Sequence, residues 1–184
     1  MSQPLVIDVS HHNPPPEPNW AKVKAGGTVG VILKATEGTT YIDPTFGQRR
    51  EAAKAAGLAV SSYHFLKHGD ARWQMLHYLD VVAPAIGERV VIDYEDAACT
   101  LDDLREAVLA LRNNAGLGLQ ITIYAGGLIK GQLGDNHDRE VWDKANAGDY
   151  GPIAPYAVSV LQKITNAPED LFGGPTLGEI FHGN

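Results

Sequence analysis

The chain has 184 residues, a formal net charge of -7 and a sequence pI near 5.4. That length suits one domain with a full core, and an acidic balance without a Lys/Arg cluster excludes nucleic acid or an anionic membrane surface as the main partner. The single cysteine, Cys99, excludes an internal disulfide and fits a small buried hydrophobe, and no apolar run approaches the ~20 residues that span a bilayer.

Met1-Ser2-Gln3-Pro4 leads directly into an apolar strand, Pro4 to Ser10, with no basic leader before it, so synthesis in the cytoplasm without an export signal is expected. His11-His12-Asn13-Pro14-Pro15-Pro16 is a rigid loop. Adjacent histidines rarely point at one ion and no Cys pair completes a site, so neither metal nor cofactor is expected. Trp20 to Ala25 reads as a short helix closed by Gly26-Gly27, and Val29 to Ala35 as a second buried strand with Thr36-Glu37-Gly38 as its polar exit. Pro44 to Ala56 is the next helix, ended by Gly57, and Leu58 to Phe65 a third strand closing on Tyr63 and His64. Between Asp70 and Val82, Trp73, Leu76 and Leu79 recur at helical spacing and are expected to face the core.

Val90 to Glu95 is the fourth strand, apolar until it ends in two carboxylates. Thr100 then caps a helix with Asp102 and Asp103 in its first turn, a stripe of Leu101, Leu104, Val108 and Leu111, and an end at Gly116. Leu119 to Tyr124 is a fifth strand, Gly126 to Leu133 a turn or short helix, and Val141-Trp142, Val158 to Ile164 and Leu177 to Phe181 are three further strands. The βαβα order predicts an α/β fold with a mainly parallel sheet and right-handed crossovers. Eight strands suggest a barrel, yet ~250 residues is typical of a complete one, so an incomplete barrel with about five helices is expected.

Chemistry in such barrels gathers at the C-terminal strand ends. Those ends carry Asp8, Glu37, Tyr63, His64, Asp93, Glu95, Tyr124, Trp142 and Gln162, an acidic and aromatic rim suited to a sugar polymer. Alternation places Asp93 and Glu95 on one face, Cα atoms roughly 6.6 Å apart, with Tyr94 on the other. Surroundings can split the pKa values of two such acids into a donor and an ionised partner, the requirement for cutting a glycosidic bond.

In order along nearly the whole chain stand Ile7-Asp8-Val9-Ser10 with Asn13, then Lys34-Ala35-Thr36-Glu37-Gly38 with Tyr41, Asp43, Pro44 and Phe46. Ala55-Ala56-Gly57-Leu58, Tyr63-His64-Phe65, Asp93-Tyr94-Glu95, Ile123-Tyr124, Trp142 and Gln162 follow. This series resembles the glycoside hydrolase family 25 lysozymes, which include phage endolysins. The resemblance implies a flattened, TIM-like β/α barrel and an N-acetylmuramidase cutting the β-1,4 bond between N-acetylmuramic acid and N-acetylglucosamine. It implies Glu95 as general acid with Asp93 and Asp8 as acidic partners, and Glu37, Tyr63, His64, Tyr124, Trp142 and Gln162 as substrate contacts. Asp93 either assists the substrate acetamide or is the nucleophile, and Asp8 holds Asp93 charged or positions the sugar. The last third departs from the family pattern, with Leu161-Gln162-Lys163 and Gly178-Glu179-Ile180-Phe181 where Trp-Gln-Tyr and Asp-Leu-Asn endings are common.

The expected protein is therefore a single catalytic domain over residues 1–184 without a separate cell-wall-binding domain, monomeric, acting on bacterial peptidoglycan after release by another protein. A catalytically inactive glycan-binding module, or a hydrolase of another N-acetylated glycan such as chitin, remain as alternatives.

Overall fold

The computed structural model describes residues 5–13 and 17–124. Its elements in chain order are β1 (Leu5–Val9), α1 (Trp20–Ala25), β2 (Thr28–Glu37), β3 (Tyr41–Ile42), α2 (Phe46–Ala55), β4 (Ala59–Phe65), α3 (Ala71–Val82), β5 (Arg89–Asp93), α4 (Leu101–Arg112), a 3-10 turn (Ala115–Leu117) and β6 (Gln120–Tyr124). The strands run in the order β1-β2-β4-β5-β6, every neighbouring pair parallel, and β3 adds antiparallel to the end of β2. This is an α/β fold with a mostly parallel sheet.

Local chemistry sets the helix starts. Asn19 and Asp70 each accept a backbone N–H three residues on, from Lys22 and Trp73, and Thr100 and Asp103 form a reciprocal capping box for α4. Asp103 also binds the His68 ring and the Gly69 N–H, which ties the exit of β4 to the start of α4. Burial opposes its charge, but the bonds from His68 and Thr100 prevail and hold the carboxyl down at about 2.

Alternation gives the sheet two faces. Ile7, Val31, Leu33, Val90, Ile92, Ile121 and Ile123 pack with the helices in the main core, along with Met75, Tyr78, Leu104 and Val108. Val6, Ile32, Tyr63, Val91 and Tyr124 form a second, smaller cluster to which no helix residue belongs. Tyr94 joins the main core, its hydroxyl bonded to the Cys99 carbonyl, while the Cys99 thiol reaches the Leu66 carbonyl and burial pushes it up to about 12.

Three expectations need correction. Trp73 is 60% exposed and Leu76 is exposed as well; α3 turns Ala71, Gln74, Met75, Tyr78 and Val82 inward, with Leu79 packed at the margin. A polar residue, Gln74, sits in the true core stripe because its amide is fully bonded, and this hid the stripe from a reading by hydrophobicity. The α4 helix ends at Arg112, and Gly116 lies in the separate 3-10 turn. Strand β3 was not expected; Gly38, at φ 55, makes the turn that folds it back on β2. Gly126 to Leu133, Val141-Trp142, Val158 to Ile164 and Leu177 to Phe181, and with them Trp142 and Gln162, lie outside the described residues.

Candidate active site

The C-terminal ends of the parallel strands assemble the site by register. Glu37, Phe65, Asp93 and Tyr124 are Cα partners across β2, β4, β5 and β6, making one transverse row. Beneath it lies a second row of Lys34, Tyr63, Val91 and Thr122. Asp8 pairs with Ile32 on β2. A flat sheet would hold β1 about 14 Å from β5, at about 4.8 Å per strand, with β2 and β4 between them. Even so, the carboxylates of Asp8, Asp93 and Glu95 act on one another electrostatically across this part of the sheet.

The strand itself ends at Asp93, and Glu95 stands two residues beyond it, half-buried. The backbone there stays anchored: Leu66 N–H donates to the Asp93 carbonyl at 2.9 Å and Tyr94 N–H to the Tyr124 carbonyl at 2.6 Å. Tyr94, buried in the core between the two acids, pins the chain on the far side. Main-chain bonds and one aromatic anchor thus fix both carboxylates.

Asp93 is 8% exposed, and its Oδ1 has no hydrogen-bond partner among the described residues. Burial first, then the Glu95 and Asp8 carboxylates and Glu37, raise its pKa well above the ordinary carboxylate range, against the single opposing charge of Lys34. Asp8 is pushed up to about 6 by burial and by Glu95. Burial and mutual repulsion thus both favour the protonated forms of Asp8 and Asp93. The expectation that Asp8 holds Asp93 charged is corrected here: a second carboxylate favours the neutral form of the first.

Tyr63 stands on the same face of the sheet, within electrostatic reach of Asp93 and Asp8. Its hydroxyl is bonded to Ser10 and kept protonated by burial and by the charges of Asp93 and Asp8, so it serves only as a neutral hydrogen-bonding group. Ser10 is held in turn: its N–H donates to Asn13 Oδ1, and its carbonyl accepts from buried Arg49, which also grips Glu17 and the Asn13 carbonyl. Asp43 accepts bonds from the His11 N–H, the His11 ring, and the N–H and hydroxyl of Thr45. Burial acts against its ionisation, and these bonds outweigh it, keeping the Asp43 carboxyl below the usual range.

Of the residues expected at the rim, the structure brings together Asp8, Glu37, Tyr63, Asp93, Glu95 and Tyr124. His64 is a correction. It is 0% exposed, on the helix-covered face of β4, between Thr36 and Gln74. The Gln74 amide donates to the Lys67 carbonyl and accepts from Lys67 N–H, which fixes its orientation. His64 Nε2–H therefore donates to Gln74 Oε1 and Nδ1 accepts from the Thr36 hydroxyl, a neutral ring that burial lowers to about 4. Adjacent residues of a strand face opposite ways, so His64 cannot share the site with Tyr63. His68, four residues on, binds Asp103 instead, and no group of three or more potential ligands converges for a metal among the described residues.

Lys34 is the residue that rim reasoning missed. It is 5% exposed, bonded to Glu37 at 2.6 Å, with its ammonium 4.9 Å from the centre of the Phe65 ring and 5.6 Å from that of Tyr41. The available signal was a lysine inside an otherwise apolar buried strand with a glutamate three residues later.

Comparisons with known proteins bear on the family of this chain. The model for glycosyl hydrolases family 25 matches residues 7–127. An autolytic lysozyme of Clostridium acetobutylicum is 38% identical over 61 residues, 33% of this chain and 19% of that protein. Lysozyme M1 of Streptomyces globisporus is 41% identical over 61 residues, 33% of this chain and 20% of that protein. These matches span only about a fifth of the length of those relatives. Among solved structures, a bacterial lysozyme from Streptomyces coelicolor superposes with a TM-score of 0.59 at 26% identity, covering 68% of this chain and 64% of that one. Since the family model takes in more than half of the chain, including every strand that contributes a carboxylate to the cluster, this protein belongs to the glycosyl hydrolases family 25.

Proposed function

We propose that this chain is a peptidoglycan hydrolase that cleaves the β-1,4 bond between N-acetylmuramic acid and N-acetylglucosamine. The observation that carries the reading is the trio of Asp8, Asp93 and Glu95 at the C-terminal strand ends, Asp93 buried and the other two half-buried, which act on one another electrostatically. Glu95, half-buried, is the general acid that protonates the leaving oxygen. Asp93, with one oxygen unpartnered among the described residues, accepts the N–H of the 2-acetamido group and orients its carbonyl oxygen toward the anomeric carbon. Attack by that oxygen and then by water, which returns its proton to Glu95, gives net retention. Asp8 shares the proton that Asp93 releases; Glu37, Tyr63 and Tyr124 contact the sugar. Trp142 and Gln162 complete the groove in this reading.

The same proposal has residues 1–184 forming one catalytic domain, an incomplete and flattened TIM-like barrel of about eight strands and about five helices, working as a monomer on the cell wall. Digestion of purified peptidoglycan and of chitin, with mass spectrometry of soluble fragments, tests it. Fragments ending in reducing N-acetylmuramic acid are expected from peptidoglycan; reducing N-acetylglucosamine ends, or no release, overturn the reading. Proton NMR should show the β-anomer first, and an initial α-anomer excludes retention.

A further inference from the structure

Beside the three carboxylates of the acid centre, in the row beneath Asp93, stands one buried lysine, Lys34. A buried ammonium in a strand costs several kcal/mol in desolvation unless something in the site uses its charge. Among the described residues its one hydrogen bond is to Glu37, so two of its three N–H donors have no partner there. The side chain is not loose: the Phe65 and Tyr41 rings flank the ammonium and Glu37 closes the strand end above it. β2 carries an irregularity between Lys34 and Thr36, the step at which Lys34 and Glu37, three apart in sequence, come to the same face.

We propose that Lys34 is a positioning residue of this centre, the fixed counter-charge against which Asp93 gives up its proton, with Glu37 limiting how strongly that charge is felt. The groups facing Asp93 are Asp8 from β1, Lys34 and Glu37 from β2, Tyr63 from β4, Glu95 beyond β5 and Tyr124 from β6. Of the charged groups acting on it, Lys34 favours the carboxylate, whereas Glu95, Asp8 and Glu37 favour the acid. The lysine and the glutamate thus pull Asp93 in opposite directions, and the pair sets where on the pH scale Asp93 becomes the acceptor that an acetamide N–H needs. This inference rests on the proposed hydrolase reading only for its consequence in turnover.

The test is the Asp93 carboxyl 13C titration by NMR, assigned with Asp93→Asn, in the wild type, Lys34→Met, Lys34→Arg and Glu37→Gln. The midpoint is expected to rise in Lys34→Met, return toward wild type in Lys34→Arg, and fall in Glu37→Gln. The acid limb of kcat/KM should move the same way, a shift of one unit giving about tenfold in rate below the limb. Midpoints unchanged in both Lys34→Met and Glu37→Gln overturn the proposal, and so does a shift of the same sign in both, which a merely structural disturbance would give. Should Lys34→Met fail to fold, Glu37→Gln keeps the lysine and still decides by its direction. If the midpoints move as expected but the wild type releases no fragments from peptidoglycan, the hydrolase reading fails while the action of Lys34 on Asp93 stands.

Discussion

The two faces of the same parallel strands are built on opposite terms. On the helix-covered face every buried polar side chain of β4 has a partner: Ser62 with Tyr78, and His64 with Thr36 and Gln74. On the other face like charges crowd together, and Asp93 keeps a buried oxygen without a partner among the described residues. Unsatisfied polar atoms and repelling carboxylates destabilise a fold. Their concentration at the acid cluster, while the buried polar side chains of β4 on the reverse face are satisfied, marks a place where stability is given up, as is common at functional sites.

The sharpest way to break the comparison is at Glu95. Glu95→Gln should lower lysis of peptidoglycan by about 10²–10⁴ while the thermal midpoint stays within a few degrees, because the amide keeps the shape but has no proton to give. Activity near that of the wild type would remove Glu95 from its role. Next in size is the helix-covered face: His64→Leu leaves Thr36 and Gln74 with lost partners and should cost about 1–3 kcal/mol of stability in denaturant unfolding. Activity per folded molecule should hold, since His64 touches none of the acids.

Titration gives each face its own sign. His64 is lowered to about 4 by burial, so the unfolded chain takes up the proton first as pH falls. Stability should therefore drop between about pH 6.5 and 4, and His64→Leu should flatten that slope. Asp8 behaves in reverse. Its folded pKa is raised to about 6, so the stability it contributes is full below its unfolded value near 3.8 and lost as pH rises through 6. Asp8→Asn is then expected to cut turnover strongly yet raise the thermal midpoint by a few degrees at pH 8, with less gain at pH 4. A fall in the midpoint at pH 8 would mean that the Asp8 charge is compensated. The smallest effect belongs to exposed Trp73, where Trp73→Ser should change stability by no more than about 0.5 kcal/mol, against 2–5 for Met75→Ala on the buried side of the same helix.

Much of this molecule is legible without coordinates. Runs rich in apolar residues, several of them bounded by a glycine, marked β1, β2, β4, β5 and β6 nearly to their ends, because a strand buried on both faces is largely apolar and gives way to polar residues at its close. Asn19, Asp70 and Thr100 start their helices through bonds that reach only three residues, so they too are local. Alternation along Asp93-Tyr94-Glu95 was enough to send Tyr94 into the core and leave the two acids on the other side.

What tertiary structure alone decided were the matters that depend on partners distant in sequence. Whether His64 or Tyr63 faces the site turns on one step of strand register, and a histidine at a strand end reads the same either way until Gln74, ten residues on, is seen to hold it. The inward stripe of α3 is chosen by what β4 offers, not by the hydrophobicity of Trp73. The sign of the influence of Asp8 on Asp93, and the existence of Lys34 as a counter-charge, arise only when strand pairing sets β1, β2, β4 and β5 side by side in one sheet. Local sequence specifies dihedral angles and local bonds, whereas electrostatics inside a low-dielectric site depends on distances across the fold, and those the chain acquires only on folding.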